Sequence, residues 1–93
     1  MNLYLVPRTR AWNSEEELAA SAECAEAVND TLRDDVRWIR TYVITEDDGT
    51  FSAYCLYEAT SPEMLARQAD ALQLPVDAIK RVTATIVKAP DPA

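Results

Sequence analysis

The chain has 93 residues, 48% of them hydrophobic and 27% charged, which is the size and composition of one folded domain. Sixteen acidic against nine basic residues leave a net charge of −7, so the molecule repels phosphate backbones and anionic lipids, and we expect it to bind neither nucleic acid nor membrane. It contains no histidine, which excludes Ser-His-Asp and Cys-His catalysis and histidine-based zinc sites within one chain.

The two cysteines, Cys24 and Cys55, are too few for a disulfide framework and form no C-x-x-C pair. Reduced thiols of this kind predict a cytoplasmic protein. The apolar run at residues 3–6 lacks a basic flank and is far shorter than a signal sequence or a membrane span. We therefore expect a chain that is neither secreted nor inserted in a bilayer.

The first third of the chain predicts a strand followed by a helix. Residues 3–6 form a short strand that Pro7 closes, because proline cannot donate to a ladder. Ser14 and Glu17 have the spacing of a capping box and mark the start of the first helix. Apolar side chains recur at helical spacing from Leu18 to Leu32, so one face of this helix packs against the rest of the domain.

The remainder predicts a hairpin, a second helix and a last strand. Residues 36–44 and 51–58 are rich in β-branched and aromatic side chains, and the Asp48-Gly49 pair between them suits a tight turn. Ser61 and Pro62 begin a helix that ends near Leu72, and residues 79–87 form the fourth strand.

The order β-α-β-β-α-β predicts an α+β, ferredoxin-like fold, with two helices on one face of a four-stranded antiparallel sheet. We expect a single domain over residues 1–88 and a flexible C-terminal tail over residues 89–93. Because the helices cover only one face, the other face of the sheet stays open.

Strand alternation divides the hairpin side chains between these two faces. Ile39, Val43 and Leu56 suit the helix-covered core, which places an aromatic set on the open face: Trp38, Tyr42, Cys55 and Tyr57. An exposed patch of this size indicates a partner or ligand surface, and a two-fold homodimer is the commonest solution.

The candidate ligand-binding residues are those on or beside this patch: Trp38, Arg40, Tyr42, Cys55, Tyr57 and Glu58. Each has an alternative role. The aromatic residues could serve only for packing, and Arg40 could cover rings with its stem or anchor an anion. Cys55 could be a small buried hydrophobe or a reactive thiol, and Glu58 could pair with an arginine or act as a base.

Three segments, residues 36–43, 54–63 and 74–79, carry the patterns W-x-x-T-Y, C-x-Y-E-A and L-P-x-D-x-I. Together they resemble a family of small bacterial domains of unassigned function that includes nickel-binding proteins, over roughly residues 2–87. The resemblance implies a ferredoxin-like fold and an oligomer built through the sheet. Nickel-binding members carry histidine in the second helix and around the turn after it, where this chain has Ala69, Gln73 and Leu74.

Cys55 and Glu58 remain from the family pattern, but the odd spacing between them directs their side chains to opposite faces. We therefore predict no metal site and no cofactor.

The leading functional hypothesis is a small dimeric ligand-binding or accessory, regulatory protein that holds a small apolar or aromatic molecule on the open sheet face. The alternative is a cofactor-free isomerase, cyclase or monooxygenase acting on a small aromatic or polyketide-like substrate. Arg40 would then orient an anionic oxygen, with Tyr42, Tyr57 or Glu58 handling a proton. A third possibility is metal binding through Cys55, as in the nickel-binding relatives. No sequence motif separates the first two.

Overall fold

The computed structural model describes residues 1–74, 76 and 78–92. Its elements in chain order are β1 (Asn2–Trp12), α1 (Glu15–Thr31), β2 (Val36–Thr45), β3 (Phe51–Ala59), α2 (Pro62–Leu72) and β4 (Lys80–Arg81). The strands form one antiparallel sheet in the order β2-β3-β1-β4, and the two helices pack on each other and on the sheet. The predicted ferredoxin-like fold is confirmed. Two residues of the L-P-x-D-x-I pattern, Pro75 and Asp77, lie outside the described residues.

Strand β1 is longer than predicted, because Pro7 does not end it. The Leu3 carbonyl accepts from the Val82 N–H on the β4 side, and backbone groups alternate, so the nitrogen of Pro7 also points to that side. Strand β4 pairs only with Tyr4 and Leu5. The missing N–H of Pro7 therefore removes no ladder bond, and β1 continues to Trp12.

Both helices start where the sequence signals placed their first residues. Ser14 Oγ accepts from the Glu17 N–H at 3.2 Å and starts α1. Pro62 occupies the first turn of α2, where its lacking donor costs nothing. Gln73 ends α2 in a left-handed conformation with φ of 55°. None of the helices in the described part of the chain is long and apolar enough to cross a membrane.

Strand β4 is much shorter than the predicted 79–87, and that prediction is wrong. After the Val82 N–H bonds to the Leu3 carbonyl, the chain leaves the edge of β1 and runs over the open face. Asp91 ends this crossing at β2, where it accepts hydrogen bonds from Arg40 and Tyr42. Strand composition alone did not keep these residues in the ladder.

A β-bulge in β2 changes which side chains share a face. Trp38 pairs with Tyr57 but Arg40 pairs with Leu56, so β2 has one extra residue, Ile39, at this point. Alternation is therefore interrupted: Trp38 faces the helices, whereas Tyr42 faces away from them. The prediction that Trp38 and Tyr42 share the open face is wrong for this reason.

The predicted assignment of β3 to the two faces is also reversed. Cys55 and Tyr57 are buried under the helices, at 4% and 2% exposure, while Leu56 lies on the open face and Ile39 is exposed. Helix α1 is rich in alanine, so it leaves space that large sheet side chains fill. The aromatic residues thus belong to the layer between sheet and helices.

Substitutions at Gly49 test whether the hairpin turn needs a residue with positive φ. Gly49 has φ of 86°, and a Cβ there would meet no atom within 4 Å, so the cost of a side chain is backbone strain alone. We expect Gly49→Ala to lower the free energy of unfolding by about 1 kcal/mol and Gly49→Asn to lower it less, because asparagine tolerates positive φ. Urea unfolding measures both; equal losses would contradict this explanation.

Candidate ligand-binding site

A pocket of about 260 Å³ lies between α1 and the helix-covered face of the sheet. We call it the interior pocket. Helix α1 supplies one wall, the three long strands supply the other, and Leu72 and Leu74 at the end of α2 close one side. Its lining residues are Arg8, Trp12, Glu15, Leu18, Ala19, Ser21, Ala22, Ala25, Trp38, Thr41, Val43, Cys55, Tyr57, Leu72 and Leu74. The lining is predominantly apolar, with exposed Ala22 and Val43 at its mouth.

The bulge sets the aromatic wall of the pocket. The Trp38 ring stacks on Tyr57, with centroids 6.4 Å apart and planes inclined at 29°. Trp38 Nε1–H donates to Thr41 Oγ1 at 2.8 Å, across the bulge. This bond satisfies the indole donor and fixes the ring, so the wall is formed before any ligand arrives.

A buried network of polar side chains connects the sheet and both helices beside the pocket. Arg8 Nη2 donates to Gln68 Oε1 at 3.2 Å, and Gln68 Nε2 donates to Asn29 Oδ1 at 2.6 Å. These bonds connect β1, α2 and α1. Burial raises the pKa of Tyr57, and the neighbouring Cys55 adds to the rise, while hydrogen bonds with Gln68 and Arg8 oppose it. Tyr57 therefore remains a neutral phenol at physiological pH.

Trp12 differs from Trp38 in its hydrogen bonding. It lines the interior pocket and is only 6% exposed, and its Nε1 is buried without an acceptor in the described structure. A buried unpaired donor is costly and uncommon in folded proteins. Because this nitrogen is also closed off from solvent, a ligand acceptor would reach it only after a shift of the ring.

The remaining predicted site residues lie on the open face. Asp91 Oδ2 accepts from Arg40 Nη1 and from the Tyr42 hydroxyl, each at 2.9 Å. The Tyr42 hydroxyl also accepts from Arg40 Nη1, at 3.2 Å, and this bond raises the pKa of Arg40 above its usual value, with a further contribution from Asp91. Glu58 forms an ion pair with Arg37 of the adjacent strand at 3.6 Å. Arg40 and Glu58 are thus engaged by neighbouring charges.

The structure therefore separates the six predicted site residues into two groups. Trp38, Cys55 and Tyr57 meet in the interior pocket, whereas the others lie across the sheet from it: Arg40, Tyr42 and Glu58. Sequence reasoning missed Arg8 and Trp12, because it ended the first strand at Pro7. Tyr4, Val6 and Arg8 alternate with neighbours that are less buried, and this alternation continues past Pro7. It is the signal that could have extended the strand.

The residues present do not fit a metal ion. Within the described part of the chain, no group of three or more cysteine and carboxylate side chains converges on one point. Cys55 faces the interior pocket, and Glu58 lies on the opposite face of the sheet. A borderline metal needs several nitrogen or thiolate donors in defined geometry, and residues 1–74, 76 and 78–92 do not bring them together.

Gln68 is the residue on which the buried network depends. We expect Gln68→Ala to lower the free energy of unfolding by about 2–4 kcal/mol, because it removes an acceptor from Arg8 and a donor from Asn29 in a site without solvent. Arg67→Ala, an exposed neighbour on the same helix, should change it by less than about 0.5 kcal/mol. Chemical denaturation of the two variants gives the comparison; similar losses would argue against a supporting network.

Comparison with known proteins identifies the family. No curated protein matches the chain. The crystal structure of SCO4226 from Streptomyces coelicolor A3(2) is similar, with a TM-score of 0.69 and 19% sequence identity over 90% of this chain and 99% of that chain. At that identity the likeness shows the fold alone. The family model described as nickel responsive protein SCO4226-like matches residues 4–82, and the chain therefore belongs to the SCO4226-like family.

Proposed function

We propose that this member of the family is a small binding protein that holds an apolar or aromatic molecule in the interior pocket, and that it works as a cytoplasmic homodimer. The observation that carries the ligand proposal is the pocket itself, about 260 Å³ of apolar-walled space beneath α1. An apolar cavity of roughly 150 Å³ is enough to bind benzene. The pocket is therefore large enough for a two-ring aromatic molecule.

The position of the pocket differs from the one that the sequence suggested. The ligand was expected on the open face, but Trp38, Cys55 and Tyr57 surround the space on the helix side. Stacked rings and an alanine-rich helix form a wall that suits flat hydrocarbon surfaces. We propose that the Trp12 ring shifts on binding, so that its unpartnered Nε1–H, which is closed off from solvent in the unliganded structure, meets one hydrogen-bond acceptor on the ligand.

The homodimer proposal rests on the open face. Its exposed apolar side chains include Tyr42, Ile44 and Tyr54, each about two-fifths exposed, and Leu3 and Leu56 lie beside them. A contiguous patch of this kind on a small domain is typical of a protein interface. Trp38 takes no part in it, because the bulge turns that ring inward.

The cofactor-free enzyme gains no support from the geometry. That hypothesis needs Arg40 and a proton-handling tyrosine around one substrate, yet Arg40 and Tyr57 lie on opposite faces of the sheet. The raised pKa of Tyr57 also makes it a poor base near neutral pH. Tyr42 and Arg40 are both occupied by Asp91. We therefore favour binding over catalysis.

The family description names a response to nickel, which we do not extend to metal binding by this chain. We expect calorimetric titration with Ni²⁺ to show no stoichiometric site of sub-micromolar affinity, because the chain has no histidine and its described cysteine and carboxylate groups do not converge. A tight site that persists in Cys55→Ser would mean that other ligands had been overlooked.

The ligand proposal is tested with two probes of the same shape. We expect 2-acetylnaphthalene, which carries a carbonyl acceptor, to bind more tightly than 2-ethylnaphthalene, which carries none. Ala22→Trp should fill the mouth of the pocket and weaken both probes at least tenfold, whereas Ala20→Trp, on the same helix outside the lining, should not. Binding is followed by tryptophan fluorescence and calorimetry.

The role of Trp12 has its own variant. Trp12→Phe keeps an aromatic ring but removes the donor, so affinity for 2-acetylnaphthalene should fall about threefold to tenfold and affinity for 2-ethylnaphthalene should change little. If the parent protein bound the two probes with equal affinity, the ligand would not need a hydrogen-bond acceptor for Trp12. If Ala22→Trp bound both probes with the affinity of the parent protein, the ligand would lie elsewhere, and the proposed function would be contradicted.

A further inference from the structure

A second bulge lies in β1, directly before Trp12. Arg8 pairs with Ala53 of β3. The next pair joins Trp12 to Phe51, so four steps along β1 face two steps along β3. With regular pairing Arg10 would stand opposite Phe51, because it lies two residues before Trp12. The bulge therefore places Trp12, rather than Arg10, on the wall of the interior pocket.

The bulge contains an uncommon backbone conformation at Arg10. Its φ of 49° lies in the left-handed region, which disfavours residues that carry a Cβ. Gln73 has a similar φ, but it ends α2, where helices commonly adopt this conformation. Arg10 lies within a strand, and a strained residue persists there only where its surroundings hold it.

The end of the β2–β3 hairpin supplies contacts that hold Arg10. The Arg10 N–H donates to Oγ of buried Ser52 at 2.8 Å, and that hydroxyl donates to Glu46 Oε2 at 3.2 Å. Arg10 Nε donates to Asp48 Oδ2 at 3.3 Å, and its Nη2 lies 4.0 Å from Glu46 Oε2. Hydrogen bonds from Thr50 lower the pKa of Asp48, with a further contribution from Arg10, so this carboxylate stays charged at neutral pH. We call Glu46, Asp48 and Ser52 the hairpin cluster.

We propose that Arg10 is a positioning residue for the interior pocket. The hairpin cluster holds Arg10 in the left-handed conformation, and the resulting bulge holds the backbone of Trp12 beside the pocket. Arg10 does not line the pocket, so it acts through Trp12. This inference rests on the proposed function, in which the Trp12 N–H meets an acceptor on the ligand. With its backbone fixed, Trp12 needs only a side-chain rotation to make that bond.

Release of the bulge has a defined outcome. Regular pairing moves β1 by two residues against β3, which keeps each side chain on its face but puts residue 10 opposite Phe51 in place of Trp12. The ligand acceptor then loses its donor, while the stacked rings of Trp38 and Tyr57 remain. Affinity for ligands that carry an acceptor therefore depends on Arg10 more than affinity for purely apolar ligands does.

Two double variants separate the strain at Arg10 from its contacts. The first, Arg10→Ala with Ser52→Ala, removes the guanidinium and the hydroxyl and keeps a Cβ at residue 10. The second, Arg10→Gly with Ser52→Ala, removes the same groups, but glycine adopts positive φ without strain. In the first variant, affinity for 2-acetylnaphthalene should fall about threefold to tenfold, and affinity for 2-ethylnaphthalene should fall less. The second variant should keep the affinities of the parent, as measured by calorimetry.

The indole N–H resonances of the ligand-free proteins give a readout that does not depend on binding. The Trp12 signal should move in the first variant and match the parent in the second. The Trp38 signal, whose donor is bonded to Thr41, should match the parent in both. Equal losses in the two variants, or a first variant with the affinities and Trp12 signal of the parent, would overturn the role of Arg10 and leave the proposed function standing. Failure of the parent to bind either probe would reject the proposed function, and the ligand-free signals would still decide the role of Arg10.

Discussion

The extra residue in β2 decides which side chains of this protein meet. With regular alternation, Trp38 and Tyr42 would lie on the same face of the sheet. The bulge at Ile39 turns Trp38 onto Tyr57, under the helices, and leaves Arg40 and Tyr42 on the open face. The hydrogen bond from Trp38 to Thr41 spans the irregularity and holds it. One local feature therefore divides the chain into an inner and an outer site.

The bulge alone does not form the interior pocket, because the aromatic rings also need space between the sheet and helix α1. Helix α1 provides that space with small side chains, and Gln68 stabilises the layer by connecting Arg8 of β1 with Asn29 of α1. Buried hydrogen bonds of this kind contribute modestly when made and cost more when broken. Gln68 and Arg8 also form hydrogen bonds with Tyr57, which stacks on Trp38.

The architecture was predictable because local signals agree with one another. The Ser14 cap, Pro62 and the Asp48-Gly49 turn divide the chain into six elements whose order specifies a ferredoxin-like sheet. The assignment of the β2 and β3 side chains to the two faces of the sheet was not predictable. It depends on the pairing register of β2 with β3, and a single extra residue reverses every side chain beyond it.

Two other errors have similar causes. Pro7 ends a strand only if its nitrogen faces a neighbour, and the shortness of β4 removes that neighbour. Residues 83–87 have the composition of a strand, but composition alone does not determine whether they pair with β1. Consequently three of the six predicted site residues line the pocket, and Trp12 and Arg8 were missed.

The family to which the chain belongs is described as nickel responsive, while this chain contains no histidine. A fold can keep its architecture while the chemistry of its site changes. We propose for this chain an aromatic pocket beside one buried donor, Trp12 Nε1–H, that has no acceptor among the described residues.

Nuclear magnetic resonance of the two indole N–H groups tests that claim most directly, because the chain contains only Trp12 and Trp38. On titration with 2-acetylnaphthalene, the Trp12 indole proton should move downfield as it gains an acceptor, and with 2-ethylnaphthalene it should not. The Trp38 indole, already bonded to Thr41, should respond only to ring currents from either probe. Unchanged indole signals alongside shifts at Tyr42 and Tyr54 would place the ligand on the open face and contradict the account.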